Sequence, residues 1–265
     1  MKICIIGYGS LGKALFAGLN QDKNLEFFVS SPSLPVETNV NGITTHYDNT
    51  AFIAIADMVI LAVKPFQIKA VLSEIGSLLP VNCLLISLAA GISLSKLASF
   101  CRSKQAIVRC MPNTPIAIGK GATAFIANNY VSSEQQKQVE KLFKPLSLTT
   151  WLHHEKDINA ITALSGSGPA YVFLFLEALI NAGEKLGLSK TVAQSFANQT
   201  IKGALSLVEN STLSLPNLRQ QVTSKGGTTA AALAVFEQND FSEVIFQALK
   251  AAYNRAEEIE KDNEL

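Results

Sequence analysis

Neither sign of charge prevails in this chain, its cysteines are unpaired in sequence, and it has no uncharged apolar run of bilayer length. Lys and Arg total 22 against 21 Asp and Glu, a formal net charge of +1. The two signs are mixed along the sequence, so no basic stripe follows a phosphate backbone, and nucleic acid is set aside as a main partner. Cys4, Cys83, Cys101 and Cys110 form no C-x-x-C pair, and no histidine stands at metal-ligand spacing. Neither a disulfide framework nor a metal site is expected; the thiols are expected to be reduced, in or near a core. The opening MKICIIGYGSLG passes from Lys2 into an apolar run that Gly7 soon breaks, too short for a signal peptide, which predicts a cytoplasmic protein. The most apolar later window, AYVFLFLEALINAG, carries Glu177 and Asn181 and falls short of the roughly twenty apolar residues of a membrane span. It reads as a buried core helix, with no membrane partner.

What is present is globular: 265 residues, 48% hydrophobic and 16% charged, enough to bury a sizeable core. The first half alternates amphipathic stretches with the short runs KICII, LEFFVS, DMVILAV, CLLISL and AIVRCM. Continuous apolar runs of this length suit parallel strands covered on both faces, so a doubly wound α/β sheet is expected. From about Asp157 the spacing changes to intervals of three and four, over 157–165, 169–186, 189–209 and 241–261, which predicts an all-α second part. HHEKDINAI leads straight into that pattern without a flexible linker. The expected division is 1–154 for a dinucleotide-binding domain and 155–265 for a helical domain.

ICIIGYGSLGKALFAGL places Gly7, Gly9 and Gly12 after a strand and at the opening of a helix. One glycine makes the tight turn, one lets the backbone approach a pyrophosphate, and one permits close helix-to-strand packing, with the helix N-terminus facing the anion. At the end of the second strand, where an NAD site carries a carboxylate, the sequence reads FFVSSPS. Ser30 and Ser31 can donate to a 2′-phosphate without repelling it, which favours NADPH modestly and leaves NADH open; the same serines could simply begin a turn before Pro32. LAVKP, 61–65, and SLAAGIS, 87–93, end the next two strands and would border the same cleft. Lys64 is either a phosphate or ribose contact or a solvated lysine. In RCMPNTP, Asn113 lies between two prolines, and is either an amide held near the nicotinamide or part of a structural turn.

The helical part opens with Ser165, Gly166, Ser167 and Gly168 before Pro169, a tight break that permits close approach of a backbone or a ligand. Further on, TSKGGTT, 223–229, contains no His, Asp or Glu. Its hydroxyls and free N–H groups at a helix start make a cradle for a carboxylate but offer no proton-transfer group. His46, His153 and His154 lie outside these loops. An imine relaxes the need for an acid, because it can be protonated before it binds and accept hydride as an iminium. These motifs ask for an imine bearing a carboxylate.

In order and spacing, IIGYGSLGKAL, LAVKP, RCMPNTP, ALSGSGPAYVF and VTSKGGTTAAAL resemble the pyrroline-5-carboxylate reductase family, over essentially the whole chain. The resemblance implies NADPH-dependent (or NADH-using) reduction of 1-pyrroline-5-carboxylate to proline, on an N-terminal Rossmann domain followed by a helical dimerisation domain. It implies cofactor contacts from Gly7, Tyr8, Gly9, Ser10, Leu11 and Gly12, from Ser31 and Asn49, from Ala62, Val63, Lys64 and Pro65, and from Ala89 and Ala90. It assigns the substrate carboxylate to Ser224, in the loop of Gly227, and to the backbone of Thr228 and Thr229, with the Thr229 hydroxyl near the imine nitrogen. Glu155 matches an acidic position close to the bound ring. The substrate loop would lie across an interface from the partner's cofactor, in a homo-oligomer of at least two chains. One departure is Lys225, where the family commonly has proline, and it bears on the stiffness of that loop. Rival readings are a related imine or β-hydroxyacid reductase and a dinucleotide-binding sensor without catalysis. Tyr171, Val172, Phe173 and Leu174 stand where the hydroxyacid enzymes of this layout carry a lysine.

Overall fold

The computed structural model describes residues 1–19, 24–38 and 43–264. Among them, nine strands form one sheet in the order β3-β4-β2-β1-β5-β6-β7-β8-β9: β1 Lys2–Ile6, β2 Glu26–Ser30, β3 Glu37–Thr38, β4 Ile43–His46, β5 Met58–Leu61, β6 Leu84–Ser87, β7 Ala106–Met111, β8 Gly121–Ala127 and β9 Ser147–Trp151. All neighbours pair parallel except β3 with β4 and β7 with β8. The chain builds outward from β1 to β2 and then crosses to β5 on the other side. That reversal is the switch point at which open α/β sheets bind ligands, beyond the carboxyl ends of the strands.

Side-chain alternation explains why five of these strands are legible as continuous apolar runs. Ile3 and Ile5 of β1, Met58 and Ile60 of β5, and Leu84 and Ile86 of β6 enter one core, which also holds Leu15 and Phe16 of α1 (Ser10–Leu19) and Val139 and Phe143 of α4 (Ser133–Phe143). The intervening Cys4, Ile6, Val59, Leu61 and Leu85 enter a second core with Val71 and Leu72 of α2 (Ile68–Ile75) and Leu97 of α3 (Leu94–Ser99). A strand covered on both faces must be apolar at every position. β4, ITTH, and β9, SLTTW, are threonine-rich and alternate between buried and accessible positions, so neither stands out as such a run.

Helices follow: α5 Asp157–Ile161, a single π-helical stretch Thr162–Gly166, α6 Gly168–Lys185, α7 Lys190–Glu209, α8 Leu215–Gln221, α9 Thr228–Gln238 and α10 Phe241–Glu264. The short α8 lies outside the periodic stretches read from the sequence. Two compact units result, one of residues 1–169 with 251–265, the other of residues 170–250.

Within the second unit Ala193 alone is a buried hydrophobic residue. Phe173 and Leu174 of α6 are 65% and 67% exposed, and Phe196 of α7 is 70% exposed. The expectation that AYVFLFLEALINAG is a buried core helix is therefore corrected for the single chain. Its apolar residues are spread around the helix, and the chain's own helices leave them uncovered.

Candidate functional site

The first loop is built by steric necessity. Gly7 has φ +96°, and a Cβ there would lie 2.8 Å from both the Ala62 carbonyl oxygen and Val63 Cγ1. A Cβ on Gly12 would lie 2.5 Å from the Gly7 carbonyl oxygen, so α1 packs against the turn only because residue 12 has no side chain. Gly9 is different: a Cβ there would meet no protein atom within 4 Å. No internal packing demands glycine at position 9, and the open space fits a pyrophosphate at the positive N-terminus of α1, where Ser10 and Leu11 supply backbone amides. Tyr8 flanks the turn with Lys13 Nζ 5.6 Å from its ring centroid, and partial burial pushes its phenol pKa up.

At the end of β2, Ser30 is fully buried, and its hydroxyl donates to Asn49 Oδ1 at 3.2 Å. Asn49 Nδ2 donates in turn to Glu74 Oε2 at 3.0 Å. Ser31 is half-buried, with its hydroxyl 3.4 Å from that of Ser33. Of the two serines, Ser31 is the accessible donor and Ser30 orients Asn49. The carboxylate of Asp48 accepts from the Thr50 amide at 2.8 Å and the Thr50 hydroxyl at 2.9 Å; these bonds hold its pKa below the usual carboxylate range. Asp48 thus serves its own turn.

Ala62, Val63, Lys64 and Pro65 follow β5. The Ala62 amide donates to the Ile6 carbonyl at 2.8 Å and the Lys64 amide to Gln67 Oε1 at 3.1 Å, which sets the turn beside Gly7. After β6, the Ala89 amide donates to the Ser87 hydroxyl at 3.3 Å, and Ala90 leads into Gly91. These turns all sit at the carboxyl ends of adjacent parallel strands. Asn113 is used internally: it donates to the Ser165 carbonyl and hydroxyl, each at 3.3 Å, and accepts from the Ala122 amide at 2.8 Å. Of its two readings, these bonds favour the structural turn.

In the second unit, Ser224, Lys225 and Gly226 are exposed, and the Gly227 amide closes the turn on the Ser224 carbonyl at 3.0 Å. A Cβ on Gly227 would strike the Ser224 hydroxyl, so glycine here lets that hydroxyl sit against the start of α9. No side chain caps α9. The backbone N–H groups of Thr228 and Thr229 in its first turn, with the Ser224 hydroxyl against the helix start, could take an anion.

Sequence reasoning missed a buried ion cluster. Arg109 of β7 is 2% exposed; its Nη1 donates to Glu155 Oε1 and, at 2.8 Å, to Glu260 Oε1 of α10. Glu155 Oε1 also accepts from the Leu94 amide at 2.7 Å, so its carboxylate holds the N-terminus of α3. The available signal was AIVRCM: an arginine in an otherwise apolar strand must find a carboxylate.

A doubly wound sheet with a glycine cradle at its switch point defines a Rossmann-type dinucleotide oxidoreductase. Comparison with known proteins narrows this. Residues 2–91 match a family model described as NADP oxidoreductase coenzyme F420-dependent, and residues 155–259 match pyrroline-5-carboxylate reductase dimerisation. The pyrroline-5-carboxylate reductase of Pseudomonas aeruginosa is 38% identical over 263 residues, covering 97% of this chain and 96% of that one. That of Haemophilus influenzae is 37% identical over 97% of both. Among solved structures, the Coxiella burnetii enzyme matches with a TM-score of 0.89 at 39% identity over 97% of each chain. The Plasmodium falciparum enzyme, solved with NADP bound, matches with a TM-score of 0.90 at 33% identity over 98% of each. The chain belongs to the pyrroline-5-carboxylate reductase family.

Proposed function

We propose that this protein reduces 1-pyrroline-5-carboxylate to L-proline with NAD(P)H, the last step of proline biosynthesis. The observation that carries the reading is the Ser224 to Thr229 loop: a helix N-terminus with hydroxyls and uncapped amides, no His, Asp or Glu, and one charged group, Lys225, that faces solvent. Such a cradle binds a carboxylate and leaves protonation to the substrate, which suits an iminium and not a carbonyl. The bound nicotinamide supplies the hydride. A C–H bond forms at the imine carbon, the π pair moves to nitrogen, and the proton brought in on the iminium stays there. Ser224, with the amides of Thr228 and Thr229, holds the carboxylate, Gly227 leaves room for the Ser224 hydroxyl, and the Thr229 hydroxyl orients the nitrogen.

The dinucleotide is assigned to Gly7 through Gly12, to Ser31 and Asn49, and to the Ala62–Pro65 and Ala89–Ala90 turns. Ser30, Asn113 and Glu155 act on the site by fixing its backbone. NADPH is favoured because the end of β2 offers the Ser31 hydroxyl while Asp48 is occupied by Thr50. The dinucleotide domain is assigned to residues 1–154 and the helical dimerisation and substrate domain to 155–265, because the last strand ends at Trp151 and the dimerisation match begins at 155, although 155–169 and 251–265 pack with the first compact unit. The protein works as a homo-oligomer, at least a dimer, in the cytoplasm.

The test is NADPH oxidation, followed by absorbance, with 1-pyrroline-5-carboxylate and with NADH in parallel. Turnover is expected with both, faster with NADPH. Thr229→Val should lower kcat/KM about fivefold or more, the weight of one net hydrogen bond, with NADPH affinity unchanged. No turnover by a protein that binds NADPH would overturn the assignment.

A further inference from the structure

The turn after β6 is held from behind by the last turns of the chain. A Cβ on Gly91 would strike Ile259 Cγ2 and lie 3.3 Å from the Glu260 amide nitrogen, so α10 packs against the turn with no room for a side chain. Asn263 Nδ2 donates to the Gly91 carbonyl at 3.0 Å. One turn earlier, Glu260 accepts from Arg109 Nη1 at 2.8 Å and from Asn159 Nδ2 at 2.9 Å. Arg109 Nη1 also reaches Glu155, which accepts from the Leu94 amide at 2.7 Å. Residues 91 to 94 are therefore pinned at both ends, by Asn263 and by Glu155; the Glu155 pin bonds Arg109 directly, and Asn263 stands one turn along α10 from Glu260, Arg109's other carboxylate. Arg109 Nε and Nη2 have no hydrogen-bond partner among the described residues, so the two carboxylates on Nη1 are the compensation this buried charge has.

We infer that the C-terminal end of α10, through Glu260 and Asn263, is a positioning element for the Ala89–Ala90 turn and so sets dinucleotide affinity. This rests on the proposal that the turn lines the dinucleotide. The family match ends at residue 259, so both side chains lie beyond it. A turn that must meet a nicotinamide needs its backbone fixed, because misplacement is lost directly from binding and rate.

The experiment compares the full chain with Asn263→Ala, Asn263→Asp and Glu260→Gln, and with Arg255→Ala as a control whose exposed pair with Glu258 touches none of these groups. NADPH affinity is read by titrating its fluorescence, alongside kcat, both KM values, Tm and sedimentation. Each Asn263 variant should weaken NADPH binding about fivefold, the effect of one lost hydrogen bond, with the KM for the imine and the oligomer unchanged. Glu260→Gln should weaken it more, and Arg255→Ala should bind as the native chain does. Asn263 is peripheral to the buried cluster, so its variants decide the matter even where Glu260→Gln fails to fold. A lower Tm with native NADPH affinity would overturn the positioning role alone. A native chain that bound no NADPH would overturn the dinucleotide reading, and this inference with it.

Discussion

At the scale of single residues, the three loop glycines have separable tasks. Gly7 and Gly12 are glycine because protein atoms occupy the place of a Cβ; at Gly9 no protein atom does, and the proposed dinucleotide supplies the reason for glycine there. Gly12→Ala should therefore lower stability by about 1–3 kcal/mol, the usual effect of overpacking, visible as a lower Tm without ligand. Gly9→Val should leave that Tm close to native and abolish NADPH binding, because its side chain fills the space of the pyrophosphate. A Gly9→Val chain that bound NADPH normally would refute the cradle. Ser30 and Ser31 look equivalent in sequence, yet burial turns Ser30 toward Asn49 and leaves Ser31 as the accessible hydroxyl.

At the scale of elements, legibility followed runs of large apolar side chains; β8, GATAFIA, is buried on both faces but its small residues and Thr123 give no such run. β1, β2, β5, β6 and β7 stood out because every position is apolar or nearly so. The Thr-rich β4 and β9 lacked that signature, and the antiparallel β8 was not recognised. The glycine cradle was legible because its demands are local. The Arg109 cluster was not, because its carboxylates lie 46 and 151 residues away along the chain. Burial governs the thiols: Cys4 and Cys110 sit in covered strands, Cys83 just before β6, and Cys101 after α3 is partly buried. Burial, with Cys83 nearby, pushes the Cys4 thiol up to about 12; burial, then the charge of Asp57, pushes Cys83 to about 12; burial alone brings Cys101 to about 11. Cys110 is raised well above its usual value by burial. Unfolded thiols ionise near about 8.5, so above that pH the native chain holds protons that the unfolded chain has lost, and stability falls as pH rises toward the folded values. Below about pH 8 this stabilisation is fully present. Iodoacetamide at pH 8 should label the native protein slowly and all four cysteines rapidly in denaturant. Rapid native labelling would show that burial does not shield them.

At the scale of the whole molecule, the second unit cannot stand as a free body. Its helices carry Phe173, Leu174 and Phe196 in the open, and each large side chain of this kind is worth about 1.5–3 kcal/mol when fully covered. The long apolar helix has the length and composition to span a bilayer, but Glu177, Asn181 and Glu184 recur along it, and α7 carries Gln194, Asn198, Gln199 and Lys202. Apolar positions interleaved with polar ones suit another copy of the same unit, wet at its rim, better than lipid on all sides. The match of residues 155–259 to a dimerisation family points to the same partner. Folding is then tied to association, and mass action makes stability depend on protein concentration. Tm should rise measurably over a hundredfold increase in concentration. Phe196→Glu, which puts a charge among surfaces that must close, should shift sedimentation toward smaller species and lower activity together. A Tm independent of concentration, with Phe196→Glu as active and as large as the native protein, would mean that these helices meet no second chain.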